Sequence, residues 1–260
     1  GKNLMKALVI NCSPVRNGAT AEIANIVSEK LKTKFDVKNI CIDDFSVGLC
    51  KGCRSCHTTA KCIQHDDVDL IMSNYEWADV IVSVSPSYWA DIPGQFKVFI
   101  DRCTPWCNTH EPHATISGGK TGYAIALRTG PSMRECNRII ESIEHFYGHM
   151  EIECCGSLGL CSIEYKEALE TRKDEILDFI KNYRIDIYKD LVFWPIVALW
   201  LTGNILEAYY TGEAFFVNTF GIIFMSFLLL IKNLCENFND WLNTPLDKNE
   251  RYKYRRKRIS

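Results

Sequence analysis

The chain has 260 residues, 47% of them hydrophobic, and a formal net charge of -2 at pH 7. This length accommodates one large domain or a domain of ordinary size with an appendage, and the hydrophobic content is ample for a core. A net charge so close to zero gives no reason to expect a nucleic-acid-binding protein.

The cysteine content and the start of the sequence indicate a reducing compartment. The chain contains 13 cysteines. The segment MKALVINCSP, which begins at Met5, has only a short apolar run that ends in a turn, without the pattern of a secretory signal peptide. We therefore expect a cytosolic location, where clustered cysteines are metal ligands or redox groups rather than disulfides.

The first predicted element is a strand followed by a polar loop. Ala7 to Ile10 form a continuous apolar run, which is typical of a strand buried on both faces of a parallel sheet. The loop NCSPVRNG follows, and a helical pattern begins near Thr20. The loop amides and the hydroxyls of Ser13 and Thr20 can donate to a phosphate, whose charge the helix dipole also favours. Neither G-x-G-x-x-G nor G-x-x-x-x-G-K-[ST] is present, and an ordinary polar turn is the alternative.

Strands and helices then alternate along the chain. Further strands are predicted at Val37–Ile42, Asp79–Val84, Thr121–Leu127 and Ile152–Gly156. Helices are predicted at Val68–Trp77 with Asp66 or Asp67 as N-cap, at Pro93–Arg102, from after Ser132 to about Tyr147, and at Glu164–Tyr183. This alternation predicts an α/β fold, a parallel sheet with helices on both faces. Ligands bind such sheets at the carboxyl ends of the strands near a topological switch point, where the loops after the first, third and fourth strands fall.

Two motifs resemble those of the flavodoxin-like, NAD(P)H-dependent FMN reductases. The segment NCSPVRNGAT is similar to the family's phosphate-binding loop, GSPR-x-x-GNT. The segment SPSYWADIPGQFKVFIDR is similar to its second motif, which places backbone and aromatic groups against the isoalloxazine ring. The resemblance covers roughly residues 5–185 and implies a flavodoxin-like, doubly wound, five-stranded parallel sheet that binds FMN, with NAD(P)H as co-substrate.

The resemblance also implies which residues bind FMN. Around the phosphate these are Ser13, Arg16, Asn17, Gly18, Ala19 and Thr20. Around the flavin ring they are Pro86, Ser87, Tyr88, Trp89, Thr129 and Gly130. For Tyr88 and Trp89 the alternative is packing in the core. No side chain is assigned as a nucleophile or general base.

A cysteine-rich segment lies between the second strand and the next helix. Its spacing is C-x2-C-x2-C-x5-C, formed by Cys50, Cys53, Cys56 and Cys62. Four thiolates can hold a [4Fe-4S] cluster or zinc, and an empty thiol loop is the third alternative. The stretch Cys53–His57 formally fits c-type haem attachment, but that reading requires export and leaves two of the four cysteines unexplained.

The same spacing resembles the iron-sulfur flavoproteins of archaea and anaerobic bacteria, a branch of the same reductase family. The resemblance implies a cluster close enough to FMN to exchange electrons with it, often across a subunit boundary. A homo-oligomer, dimer or tetramer, and a ferredoxin-like electron partner are therefore expected.

The last 75 residues or so form a different kind of segment, which we predict to be a helical appendage at 186–260 after a flavin domain at 1–185. Residues 191–206 and 214–231 carry no charged side chain, and a spanning helix needs about 20 apolar residues. They predict a helical hairpin that contacts a membrane, or one that packs in an oligomer. Residues 250–260 contain six Lys or Arg and one acid. This basic tail satisfies the positive-inside rule with the flavin domain in the cytoplasm, and it either binds anionic lipid or is solvated.

Together these features predict an FMN-dependent oxidoreductase with a [4Fe-4S] cluster, exchanging electrons between flavin, cluster and a ferredoxin-like or NAD(P)H partner. One alternative is a cluster-free NAD(P)H reductase that passes electrons to a quinone. The other is a non-enzymatic electron carrier docked at a membrane.

Overall fold

The structure is a computed structural model, and it describes residues 4–180. The predicted hairpin at 191–231, the basic tail and the domain boundary near residue 185 lie outside these residues and stay predictions. Within residues 4–180, no helix is long and apolar enough to cross a membrane.

Five parallel strands form the sheet, in the order β2-β1-β3-β4-β5. The strands are β1 (Lys6–Asn11), β2 (Asp36–Cys41), β3 (Val80–Pro86), β4 (Thr121–Leu127) and β5 (Glu153–Leu160). The chain runs outward from β1 to β2 and then crosses back to β3, so the topological switch point lies between β1 and β3. This order confirms the predicted flavodoxin-like, doubly wound fold.

Helices cover both faces of the sheet. They are α1 (Ala19–Leu31), α2 (Cys56–Thr59), α3 (Val68–Trp77), α4 (Gly94–Arg102) and α5 (Met133–His149), with 3-10 turns at Ile42–Asp44, Thr104–Trp106 and Lys166–Leu169. On one face α1 packs against β1, β2 and β3 through residues that include Ile23 and Val27. On the other face Leu8, Ile10 and Ile81 share a core with α3, α4 and α5. A strand covered on both faces needs apolar residues at every position, which explains the continuous run in β1.

Some of the predicted helix and strand bounds match those of the structure, and others differ from them. The helix α3 and the strand β4 have the predicted bounds, whereas β5 continues to Leu160 because Ser157 and Gly159 still pair with β4. The predicted helix Glu164–Tyr183 is wrong in its first part: Lys166–Leu169 forms a 3-10 turn, and residues 173–180 are helical. Before that turn the chain is tied to the loop after β4, since the Ile163 amide donates to the Arg128 carbonyl at 2.9 Å.

A buried lysine directly before β4 stabilises the end of α3. Lys120 is 4% exposed, and its Nζ donates to the carbonyls of Glu76 at 2.8 Å and Ala78 at 2.7 Å. Burial lowers its pKa, and attraction to Glu76 and Asp79 opposes this. We expect Lys120→Met to lower the free energy of unfolding by about 2 kcal/mol, because two helix-end carbonyls lose their donor. Urea unfolding measures this, with the exposed Lys173→Met as control; equal midpoints for the two variants would contradict the assignment.

Candidate functional site

The loop after β1 is ordered by Asn11, the last residue of that strand. Asn11 is 3% exposed. Its Oδ1 accepts from the Ser13 amide at 3.0 Å, and its Nδ2 donates to the Val15 carbonyl at 3.2 Å. The Ser13 hydroxyl in turn accepts from the Val15 amide at 3.0 Å. Asn11 was not among the predicted site residues. The signal in the sequence was an Asn at the end of an apolar strand, where its side chain can order a turn.

The start of α1 is open to an anion. Gly18 is the N-cap residue, and no side chain caps this end of the helix. The first N–H groups of a helix have no intrahelical acceptor, and the helix dipole favours negative charge there. Thr20 is buried, and Gly18 and Ala19 are half-buried. A Cβ on Gly18 would lie 3.0 Å from Cγ1 of Val15, so the small residue lets the loop pack closely. These features fit a phosphate held by loop and helix amides.

The side chain of Arg16 points to the end of β2. Its Nη2 donates to the Asp43 carbonyl at 2.9 Å, and its Nη1 pairs with the Asp44 carboxylate. The neighbouring Asn17 is exposed. Arg16 therefore connects the loop after β1 to the 3-10 turn after β2, and its charge is already engaged by two acidic residues.

A tight turn after β3 presents two aromatic side chains to solvent. The Tyr88 amide donates to the Asp91 carbonyl at 2.8 Å, and the Asp91 amide donates back at 3.1 Å. Between them Trp89 and Ala90 both have positive φ, 54° and 60°. Tyr88 is 41% exposed and Trp89 is fully exposed, so the alternative of core packing is wrong for both. The turn instead offers aromatic rings at the edge of the sheet where ligands bind.

A charged network joins the loops after β3 and β4. The Ser87 hydroxyl donates to Glu135 at 2.8 Å, and Arg128 pairs with the other oxygen of Glu135 at 2.8 Å. The Ser87 amide donates to the Leu127 carbonyl at 2.8 Å. A Cβ on Gly130 would overlap the Arg128 guanidinium. Arg128 and Glu135 were not among the predicted site residues, because nothing in the sequence shows that a loop residue pairs with the first turn of α5.

The predicted FMN residues thus fall on three loops at one edge of the sheet. The strands that precede these loops are neighbours: Asn11 aligns with Val84 and Pro86 aligns with Leu127. Pro86 and Ser87 are half-buried at the end of β3, Gly130 is half-buried, and Thr129 is exposed. The edge therefore combines amides, hydroxyls and aromatic rings, the groups that a phosphorylated flavin requires.

The four cysteines of the predicted metal site are free thiols in one segment. Cys50 and Cys53 are exposed, and Cys56 and Cys62 are half-buried. Burial raises the pKa of the Cys56 thiol, and the charges of the other three cysteines add to this rise. Hydrogen bonds from Ser55 lower the pKa of the Cys53 thiol.

The structure does not gather these thiols into a ligand set. Among residues 4–180, no three His, Cys, Asp or Glu side chains are arranged to hold a metal ion. The short helix α2 and residues of positive φ, Gly52, Arg54 and Ala60, turn the chain between the cysteines. The donor chemistry still fits an iron-sulfur cluster or zinc, because four thiols lie within one short segment.

Comparisons with known proteins show the family of the chain. The chain matches the family described as NADPH-dependent FMN reductase over residues 5–156. It is 26% identical over 220 residues to an iron-sulfur flavoprotein of Archaeoglobus fulgidus, a match covering 73% of this chain and 97% of that protein. It is 34% identical over 106 residues to an iron-sulfur flavoprotein of Methanocaldococcus jannaschii, covering 39% of this chain and 53% of that protein.

A solved structure shares the fold. The NAD(P)H:quinone oxidoreductase from Methanothermobacter marburgensis superposes with a TM-score of 0.55 at 14% identity, over 70% of this chain and 98% of that chain. The strand order, the loop after β1 and the family match over residues 5–156 lead to one assignment: this chain belongs to the NADPH-dependent FMN reductase family and is an FMN-dependent oxidoreductase.

Proposed function

We propose that this oxidoreductase binds the FMN phosphate at the loop after β1 and the flavin ring between the loops after β3 and β4. The observation that carries the proposal is the uncapped start of α1 beside a loop ordered by Asn11. The phosphate group would be held by Ser13, Asn17, Gly18, Ala19 and Thr20. Arg16, whose charge is engaged by Asp43 and Asp44, would fix the loop instead of contacting the phosphate. The ring would be held by Pro86, Ser87, Tyr88, Trp89, Thr129 and Gly130.

The protein's own residues bind and orient the cofactor in this proposal. When bound, FMN would supply the redox chemistry, namely hydride transfer with NAD(P)H and electron transfer singly or in pairs. The loop and helix amides compensate the phosphate charge. The network of Ser87, Glu135 and Arg128 fixes the two loops that flank the ring, while Tyr88 and Trp89 supply stacking surface. We assign no general acid or base.

We further propose that Cys50, Cys53, Cys56 and Cys62 hold a [4Fe-4S] cluster, with zinc as the alternative metal. The support is their spacing, their free thiols and the two relatives named iron-sulfur flavoproteins. Binding requires residues 50–62 to rearrange so that four sulfurs face one centre. Such a one-electron centre suits exchange with a ferredoxin-like partner, and a dimer or tetramer that completes the site between subunits belongs to the same proposal.

The cluster proposal predicts a change in the visible spectrum. Protein purified without oxygen is expected to show flavin bands and, beside them, a broad absorption shoulder from the cluster. Cys53→Ala is expected to lose the shoulder and its iron while keeping the flavin, because one of four ligands is removed. The matched control is Cys155→Ala, which removes an exposed thiol outside the segment. A flavin-containing wild type without iron would refute the cluster and leave FMN binding intact.

A cluster-free NAD(P)H:quinone reductase is the second candidate. It is favoured by the absence of a three-donor metal group among the described residues. If the wild-type protein reduces a quinone with NADPH but transfers no electrons to a ferredoxin-like acceptor, the second candidate holds. If the wild-type protein transfers single electrons to a ferredoxin-like acceptor and Cys53→Ala does not, the enzyme with a cluster is supported. Reduction of the flavin by NADPH at catalytic rates in either protein excludes a non-enzymatic carrier.

The membrane contact through residues 191–231 is also a proposal, supported by their two uncharged runs. Sedimentation of the full chain with phosphatidylcholine vesicles, with and without anionic lipid, tests it. Binding to both compositions supports the hairpin, binding to anionic vesicles alone supports the basic tail, and no binding favours helices packed in an oligomer.

A further inference from the structure

The guanidinium of Arg102 is buried against the cysteine segment. Arg102 ends α4 and is 1% exposed. Its Nη1 donates to the Gly48 carbonyl at 2.7 Å and to Asp66 Oδ2 at 2.6 Å. Its Nη2 donates to Asp66 Oδ1 at 3.1 Å and to the Cys62 thiol at 3.4 Å. These hydrogen bonds all end on the segment that carries the four cysteines.

Asp66 joins the two ends of that segment to Arg102. Its Oδ2 also accepts from the Gly48 amide at 2.9 Å, and its Oδ1 accepts from the Val68 amide at 3.3 Å. Burial opposes ionisation of Asp66, but the hydrogen bonds from Arg102, Gly48 and Val68 outweigh it and lower its pKa. The two ends of the cysteine segment, at Gly48 and at Asp66, are therefore held together by hydrogen bonds to each other and to Arg102.

Burying an arginine to hold a loop in place carries a large desolvation cost. The guanidinium stays charged at any pH that a protein tolerates, and burying it is favourable only with a paired carboxylate and well-placed acceptors. One carboxylate already pairs with Arg102, yet two further acceptors are used, and one of these is the sulfur of Cys62. Its Nε is buried and has no hydrogen-bond partner among residues 4–180. The arrangement thus places more donors at the base of the segment than one ion pair requires.

We propose that Arg102 is a positioning residue for the thiolate centre. It holds Cys62 and the two ends of the cysteine segment in a fixed position. The other three cysteines then move toward Cys62 to bind the metal. Arg102 also donates to a sulfur of a centre that four thiolates make negative, and such hydrogen bonds from outside the ligand set tune metal affinity and potential. This inference rests on the proposed thiolate centre.

The test is a titration of the reduced, metal-free full chain with Co²⁺, without oxygen, followed by thiolate-to-cobalt charge-transfer absorption. Arg102→Met is expected to bind Co²⁺ at least about tenfold more weakly, with a weaker band. Arg102→Lys keeps the charge but not the forked geometry, and it should fall between the two. The control is Arg172→Met, since Arg172 donates at 3.1 Å to the carbonyl of Cys161, a cysteine outside the segment.

The possible outcomes distinguish failure of this inference from failure of the proposed thiolate centre. If the wild type gives the band and Arg102→Met matches it in affinity and intensity, Arg102 does not position the thiolates, and the centre itself stands. If the wild type gives no thiolate band, the centre and the inference both fall. If Arg102→Met does not fold by circular dichroism, Arg102→Lys decides: weaker binding supports the inference, and wild-type binding overturns it.

Discussion

Ala19→Glu is expected to weaken FMN binding by about a hundredfold without lowering the stability of the fold. Ala19 is the first residue of α1, half-buried beside the loop proposed to hold the phosphate. A carboxylate there would repel the phosphate by about 3 kcal/mol at the effective dielectric constant near a protein surface, which corresponds to about a hundredfold in Kd. In the free protein the same charge stabilises the start of the helix by about 0.5 kcal/mol. The two effects have opposite signs, so loss of binding cannot be ascribed to unfolding.

Fluorescence titration of the apoprotein with FMN measures the effect of this substitution. Ala19→Gln has nearly the same shape without the charge, and it should bind FMN close to the wild-type value. If Ala19→Gln lost as much affinity as Ala19→Glu, the cause would be steric. Wild-type affinity in Ala19→Glu would place the phosphate elsewhere.

Gly122→Ala is expected to lower the free energy of unfolding by about 3 kcal/mol, because the added methyl group has no space. Gly122 lies in β4, where a Cβ would come 2.6 Å from ring atoms of Tyr147 and 3.0 Å from Ile152. The Tyr147 ring cannot give way easily: it is fully buried, and its hydroxyl donates to Ser83 Oγ at 2.7 Å. Moving the ring would also break this buried hydrogen bond.

The control for this substitution is Gly148→Ala, next to the same tyrosine but on the outside of α5. A Cβ there meets no atom within 4 Å. This change should stabilise the fold by about 0.7 kcal/mol, because Ala is the better helix former. Urea unfolding of the two variants gives the comparison. A Gly122→Ala midpoint at or above that of Gly148→Ala would show that the sheet and α5 pack less tightly than the structure indicates.

The sheet could be predicted because its central strands are buried on both faces. Ala7 to Ile10 and Val80 to Val82 are continuous apolar runs, which favour buried strands, and a parallel order follows from the helices between them. The ends of elements were less predictable. The chain at Ile163 is held by a carbonyl from the loop after β4, and a contact between residues so distant in sequence leaves no local pattern.

The parts of the candidate site that depend on local backbone structure could be predicted from sequence motifs. The contacts between residues distant in sequence could not. The strand, polar loop and helix start around Ser13 and Thr20 predict an anion site, with an ordinary polar turn as the alternative. The pair of Arg128 and Glu135 and the contacts of Arg102 depend on tertiary packing, which the sequence does not display. The cysteine spacing predicts a metal site that the chain's own contacts do not assemble. The binding energy of the metal itself normally closes such loops.

The proposed function depends above all on the phosphate of FMN lying between the loop after β1 and the start of α1. The most direct measurement compares FMN with riboflavin, which has the same ring without the phosphate, in titrations of the full-length apoprotein. Charge-assisted hydrogen bonds to the phosphate predict binding of FMN at least about tenfold tighter than of riboflavin. Equal affinities for the two flavins, or no binding of either, would contradict the account.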